Sequence, residues 1–208
     1  MKLWISLIVL FAALVGISVI MPDGPKGPER VELEIPHGLE ENQKATMKPG
    51  RVVELHLDKG VIEFILFEED CPNTTKRITT LVKDGFYNGL VFHRVENWVI
   101  QTGENDKAHF DGIGCEIKDG LVNAKGSVGM ARAQSYNSNT TQFYILKEPS
   151  PWLDREYTVF GRVINGMDVV MNIEKGDKIN KAILREANKE DLRKFNEVLS
   201  IESERKTQ

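Results

Sequence analysis

The chain has 208 residues, enough for one domain with a full core and room for appendages. Its 41% apolar and 28% charged content is that of an ordinary soluble protein, and its net charge of -4, with no Lys/Arg cluster, argues against a nucleic-acid footprint. Two cysteines, Cys71 and Cys115, exclude a disulfide framework; two free, partly buried thiols are expected, with a single bridge as the alternative.

Residues 1–21 read as a membrane anchor or signal segment. Leu3 to Met21 is a nearly unbroken apolar run preceded by Lys2. As a helix, its roughly 19 residues would span about 28 Å, close to the thickness of a bilayer core. The small residues that could mark a cleavage site, Gly16 and Ser18, lie inside the run rather than after it, which favours an uncleaved anchor over a removed signal. The charge asymmetry places the bulk of the chain on the extracytoplasmic side, periplasmic or extracellular/lumenal. Residues 22–49 hold five of the eight prolines, with Gly24, Gly27 and Gly38 among them. Proline fixes φ and removes donors, so this stretch reads as a partly extended linker.

Arg51 to Leu57 and Val61 to Phe67 are β-rich runs around Asp58-Lys59-Gly60, a hairpin signal. Pro72 opens a helix through Asp84 that Gly85 stops, with Ile78, Leu81 and Val82 as its apolar face. Strands are expected at 90–94, 98–102, 113–117, 126–131, 141–146 and 158–163, a second helix over 165–173 and a last strand over 179–184. Many short strands between Gly, Asn and Asp turns predict a mainly β fold, a closed antiparallel barrel. From 186 to 208 an amphipathic helix is expected, capped by Asn188 and striped by Leu192, Phe195, Val198 and Leu199; docking on its own domain is the simpler reading, a partner surface the alternative.

Within the barrel, Phe92-His93-Arg94-Val95-Glu96-Asn97-Trp98-Val99-Ile100-Gln101 alternates apolar and polar residues except at Glu96 and Asn97. It reads as two short strands joined by a tight turn. An arginine amid such strand residues either snorkels to water or sits at the rim of a pocket, because its charge is costly to bury unpaired. The histidines lack metal-ligand spacing, and Gly126-Ser127-Val128-Gly129 lacks a nucleophile elbow.

Beside that stretch stand Gly126 to Arg132, Thr141 to Ile145, Trp152-Leu153-Asp154 and Tyr157 to Gly161. In this order and spacing the segments resemble the cyclophilin family of peptidyl-prolyl isomerases over residues 50–185. The resemblance implies an eight-stranded barrel capped by two helices, acting without a cofactor on proline-containing peptides and unfolded clients as a monomer. It implies Arg94 as donor to the prolyl nitrogen, with Gln101 and Gln142 orienting Arg94 and the substrate backbone. The matching proline pocket is Trp98, Val99, Tyr144, Leu153 and Tyr157, four of which depart from the family's usual residues. Ala131, Arg132 and Trp152 stand at further substrate-binding positions, Arg132 where an Asn is typical. The segment between Arg94 and Gln101 is one residue shorter than usual, and the glycine-rich loop after it is reduced to Gly103-Glu104-Asn105-Asp106-Lys107. The chemistry implied is acceleration of Xaa-Pro isomerisation, with assistance to extracytoplasmic folding; a non-catalytic proline-peptide binding module is the alternative.

Overall fold

The computed structural model describes residues 44–105 and 109–205, with side chains described through residue 201. The predicted anchor lies outside the described residues, as does the linker up to residue 43. Among the described residues no helix is long and apolar enough to cross a membrane. The last part of the linker, residues 44–49, is held on the domain. Buried Asp70 accepts the backbone N–H groups of Thr46 (2.9 Å) and Met47 (2.8 Å), and the Ala45 N–H donates to the Asp119 carbonyl (2.8 Å).

Strands β1 (Val52–Leu57) and β2 (Gly60–Leu66) form the expected hairpin, paired from Leu57 with Gly60 to Val52 with Ile65. Helix α1 (Pro72–Lys83) starts at the proline, whose missing N–H is no loss in a first turn. The neighbouring donors need a partner, and Cys71 at the cap supplies none through its side chain. The Glu116 carboxylate does so instead, accepting from the Asn73 N–H (2.9 Å) and the Thr74 N–H (2.8 Å). A negative group there also suits the positive end of the helix dipole. Gly85, at φ +70°, ends the helix in a conformation that side chains resist.

The remaining elements are β3 (Arg94–Val95), β4 (Val99–Thr102), β5 (Ser127–Met130), β6 (Phe143–Leu146), β7 (Val159–Asn165), α2 (Met167–Met171), β8 (Lys181–Arg185) and α3 (Lys189–Arg205). The eight strands form one sheet in the order β3-β4-β6-β5-β7-β2-β1-β8, every ladder antiparallel. The expected closed barrel is therefore corrected to a half-barrel, open between β3 and β8. Strand β3 is only two residues long, and among the described residues no ladder joins it to β8. Among the described residues the gap is spanned by an isolated bridge, Val91 with Lys178, and by irregular backbone bonds such as Gly89 N–H to the Ile179 carbonyl (2.7 Å).

Two other elements differ from expectation. No ladder forms over 113–117, where the Ile113 and Cys115 N–H groups donate to the Asn139 and Tyr136 carbonyls (2.8 and 2.9 Å) and the Glu116 N–H to the Thr158 hydroxyl (2.8 Å). The second helix is shorter than 165–173, because β7 runs on to Asn165 and Gly166, at φ +79°, turns the chain first. Both cysteines are free and buried.

The concave face holds the main core, with Phe64, Phe143 and Phe160 meeting edge to face or tilted at 5.9–6.4 Å between centroids. Helix α3 docks on this domain, placing Phe195 in the same core with its ring 6.0 Å from Phe67. Its start is a reciprocal cap: Asn188 Oδ1 accepts the Glu190 and Asp191 N–H groups (2.8 and 3.1 Å), and Asp191 Oδ2 accepts the Asn188 N–H (2.8 Å). Arg185 bridges Asp191 (3.0 Å) to Glu63 (2.9 Å) and to Glu54 on the sheet.

The Arg185 hydrogen bond holds the Asp191 carboxyl below its ordinary value. A depressed carboxylate contributes stability that is present above its unfolded value, about 3.9, and is lost as pH falls through the folded one. Asp191→Asn is expected to lower stability by about 2 kcal/mol at neutral pH and to flatten the acid limb below about pH 4. Urea unfolding at a series of pH values reads both.

Candidate active site

Strands β4, β6 and β5 lie side by side, with Gln101 opposite Tyr144 and Tyr144 opposite Gly129. Alternation along each strand then gives the sheet two faces. Ile100, Phe143, Ile145, Val128 and Met130 enter the main core, while Val99, Tyr144 and Leu146 turn to the other side.

On that outer side a second apolar cluster forms from Trp98, Val99, Ala131, Tyr144, Leu146, Leu153 and Tyr157, with Trp152 packed against it. All five positions matched to the proline pocket fall in this one cluster. Trp152 and Leu153 are delivered by a short 3-10 turn, Pro151–Leu153. The Trp98 and Trp152 rings meet edge to face at 5.5 Å, and those of Tyr144 and Tyr157 at 6.1 Å.

The Tyr144 hydroxyl does not face a ligand. It donates to Asn123 Oδ1 (2.6 Å), and Asn123 in turn donates through its backbone N–H and side-chain amide to Asp154 Oδ1 (2.6 and 3.0 Å). Complete burial pushes the phenol well above its ordinary value, so it remains a neutral donor that props the ring from behind. Leu146 and Asn123 escape the sequence reading, and Asp154, part of the quoted Trp152-Leu153-Asp154 segment, is given no role there. The period of β6 could have found Leu146; nothing local signals the bond between Asn123 and Asp154.

Arg94 stands at the edge of this cluster, in register with Gln101 across the β3–β4 hairpin. The hairpin turn is closed by the Glu96 N–H donating to the Val99 carbonyl (2.8 Å). The Arg94 Nε–H donates to Glu96 Oε1 (3.3 Å), and the guanidinium carbon lies 5.5 Å from the centre of the Trp98 ring. The Arg94 charge also reaches the Tyr157 phenol, opposing the upward push of burial on that group. Gln101 Nε2–H donates to Gln142 Oε1 (2.8 Å), so the two glutamines are joined to each other. No hydrogen bond joins either of them to Arg94 among the described residues.

Arg132 is nearly buried, and its donors are committed inside the chain. Nε–H donates to the Glu156 carbonyl (3.0 Å), Nη1 to the Ala133 and Gln134 carbonyls (3.1 and 2.9 Å), and Nη2 to Glu156 Oε2 (3.2 Å). The guanidinium is stacked between Tyr136 at 4.2 Å and Tyr157 at 4.7 Å. It thus supports the Tyr157 wall of the cluster through cation–π contact. The same Glu156 carboxylate accepts the Tyr136 hydroxyl (2.7 Å), whose phenol burial and that bond push up to about 12.

Three polar atoms at this surface are buried with no partner among the described residues: Arg94 Nη1, Gln101 Oε1 and Trp152 Nε1. Each such group carries a desolvation cost of about 1–3 kcal/mol until it is satisfied. Two donors and an acceptor around aromatic walls suit an extended peptide, which offers carbonyls and N–H groups along its length and can seat an apolar ring.

The family model described as cyclophilin type peptidyl-prolyl cis-trans isomerase/CLD matches residues 52–192. A peptidyl-prolyl cis-trans isomerase of Acinetobacter baylyi is 39% identical over 133 residues, covering 59% of this chain and 71% of that protein. One of Schizosaccharomyces pombe is 38% identical over 126 residues, 56% of this chain and 81% of the relative. In the much longer isomerase of Arabidopsis thaliana, also 38% identical, the match spans 64% of this chain but only 22% of the relative's length. A solved Cryptosporidium parvum cyclophilin type isomerase superposes with a TM-score of 0.61 at 24% identity, over 67% of this chain and 99% of that one, which shows the shared fold. The matched region contains the whole half-barrel, the outer cluster and Arg94, and the chain belongs to the cyclophilin-type peptidyl-prolyl cis-trans isomerases.

Proposed function

We propose that this chain accelerates Xaa-Pro isomerisation in extracytoplasmic clients, with Arg94 as the donor and Trp98, Val99, Tyr144, Leu153 and Tyr157 as the seat of the prolyl ring. The observation that carries the reading is the buried, unpartnered Arg94 Nη1 at the edge of that aromatic cluster. Rotation about the prolyl amide faces a barrier of about 18–20 kcal/mol because it sacrifices resonance. No bond is made or broken, so catalysis consists of favouring the twisted amide over the planar one. A cation donating to the nitrogen lone pair that develops on twisting does this. Lowering the barrier by about 6 kcal/mol gives about a 10⁴-fold acceleration. Gln142 and Gln101 fix the flanking backbone, and the aromatic walls hold the ring still while the acyl side turns. A second Cryptosporidium parvum structure, of 25% identity, was solved in the presence of the dipeptide ala-pro, which supports a proline ligand.

The apolar run Leu3 to Met21 behind Lys2 supports a membrane tether for this monomeric domain. Resistance of the full chain to alkaline extraction from membranes, lost when residues 1–21 are deleted, tests the tether.

The activity is tested by two-dimensional NMR exchange on a short Xaa-Pro peptide with the detergent-solubilised full chain. Cross-peaks between cis and trans signals at substoichiometric protein are expected. Peptide binding without exchange would instead favour a proline-binding module, the reading motivated by the four altered pocket positions.

A further inference from the structure

The family pattern leads one to expect a glutamine beside the active arginine, yet Gln101 is turned to Gln142. Arg94 is held from two other directions, both supplied by the turn that is one residue short. Glu96 takes the Nε–H at 3.3 Å, and the guanidinium carbon lies 5.5 Å from the centre of the Trp98 ring. The turn itself is closed by the Glu96 N–H to the Val99 carbonyl, which fixes where the Glu96 side chain starts. Occupying Nε leaves the two terminal nitrogens for a substrate, and of these Nη1 has no partner among the described residues.

We propose that Glu96 is the positioning residue for Arg94 in this chain, aiming its Nη donors at the prolyl nitrogen in the role the family gives to a glutamine. The proposal rests on the reading of Arg94 as donor to the twisted amide. The Glu96 side chain is 45% exposed, so the ion pair adds little to folding stability and its importance lies in orientation. A planar fork is useful only when its plane and direction are set, and small misplacements of a reacting group cost large factors in rate. A carboxylate does not have to be charged for this purpose; an acceptor oxygen at the same place suffices.

The test compares Glu96→Ala, Glu96→Gln, Arg94→Ala and the double Arg94→Ala/Glu96→Ala variant as full chains, using NMR exchange and line shapes to separate kcat from KM on one Xaa-Pro peptide. Glu96→Ala is expected to lower kcat about tenfold with KM within about twofold. Glu96→Gln, which keeps an oxygen for the Nε–H, should recover most of that loss. In the Arg94→Ala background, removing Glu96 should add nothing. An unchanged or faster Glu96→Ala enzyme overturns the proposal, as does an equal further loss when Arg94 is already gone. In either case exchange by the parent chain leaves the assignment of Arg94 standing. Absence of exchange in the parent would instead refute the activity itself.

Discussion

Arg94→Ala is expected to reduce catalysed Xaa-Pro exchange by about 10² to 10³-fold while leaving the chain folded. The magnitude is that of removing one preorganised donor from a site where charge develops, about 2.7–4 kcal/mol of transition-state stabilisation. Folding should hardly change, because the guanidinium packs on Trp98 and, among the described residues, its ion pair is with the half-exposed Glu96. Arg94→Lys keeps the charge and loses the fork, so it should fall nearer to the alanine variant than to the parent. Exchange spectroscopy paired with a thermal midpoint separates lost chemistry from lost fold. Retention of more than about a tenth of the parent rate in a folded Arg94→Ala chain would mean that the aromatic seat and the glutamines carry the acceleration.

Gly129→Ala is expected to destabilise the domain by about 3 kcal/mol or more, near the upper end for overpacking. A Cβ built there would lie 2.2 Å from both Cζ and Oη of Tyr144, the residue directly across the ladder. The ring has nowhere to retreat: it is fully buried, and its hydroxyl is fixed to Asn123. The mutation therefore breaks the Tyr144–Asn123 bond or parts β5 from β6. Tyr144→Ala in the Gly129→Ala chain should recover part of the loss, a non-additivity expected of residues in contact. Urea unfolding of the four chains of that cycle measures it; simple additivity of the two losses would show that the tyrosine is not the obstacle.

What the sequence made legible follows the range of each interaction. The β1–β2 hairpin and α1 are announced by local chemistry: Gly60 in the turn, Pro72 at the helix start, Gly85 at its end. The segment 113–117 misled because Ile113, Cys115 and Ile117 alternate as a strand would, yet the segment's backbone groups are satisfied by 136–139 and Thr158 and its Glu116 caps α1 from far along the chain. No local pattern encodes such a partner. At the site, Trp98, Val99, Tyr144, Leu153 and Tyr157 could be named from position and meet in one cluster. The commitments of Arg132 to Glu156 and of Gln101 to Gln142 needed distances, because both side chains had donors enough to face a peptide instead.

The way the chain enters the domain has a mechanical side. Buried Asp70 grips two consecutive backbone N–H groups at Thr46 and Met47, and Asp119 takes that of Ala45 through its carbonyl. A pull on the chain ahead of Lys44 is thus borne by this latch before any of it reaches the β1 ladders. Asp70 also lies 3.5 Å from Lys118 Nζ, which ties the latch to the loop bearing Asp119. These bonds, and not the sheet whose outer face holds the aromatic seat, would take up such a pull first.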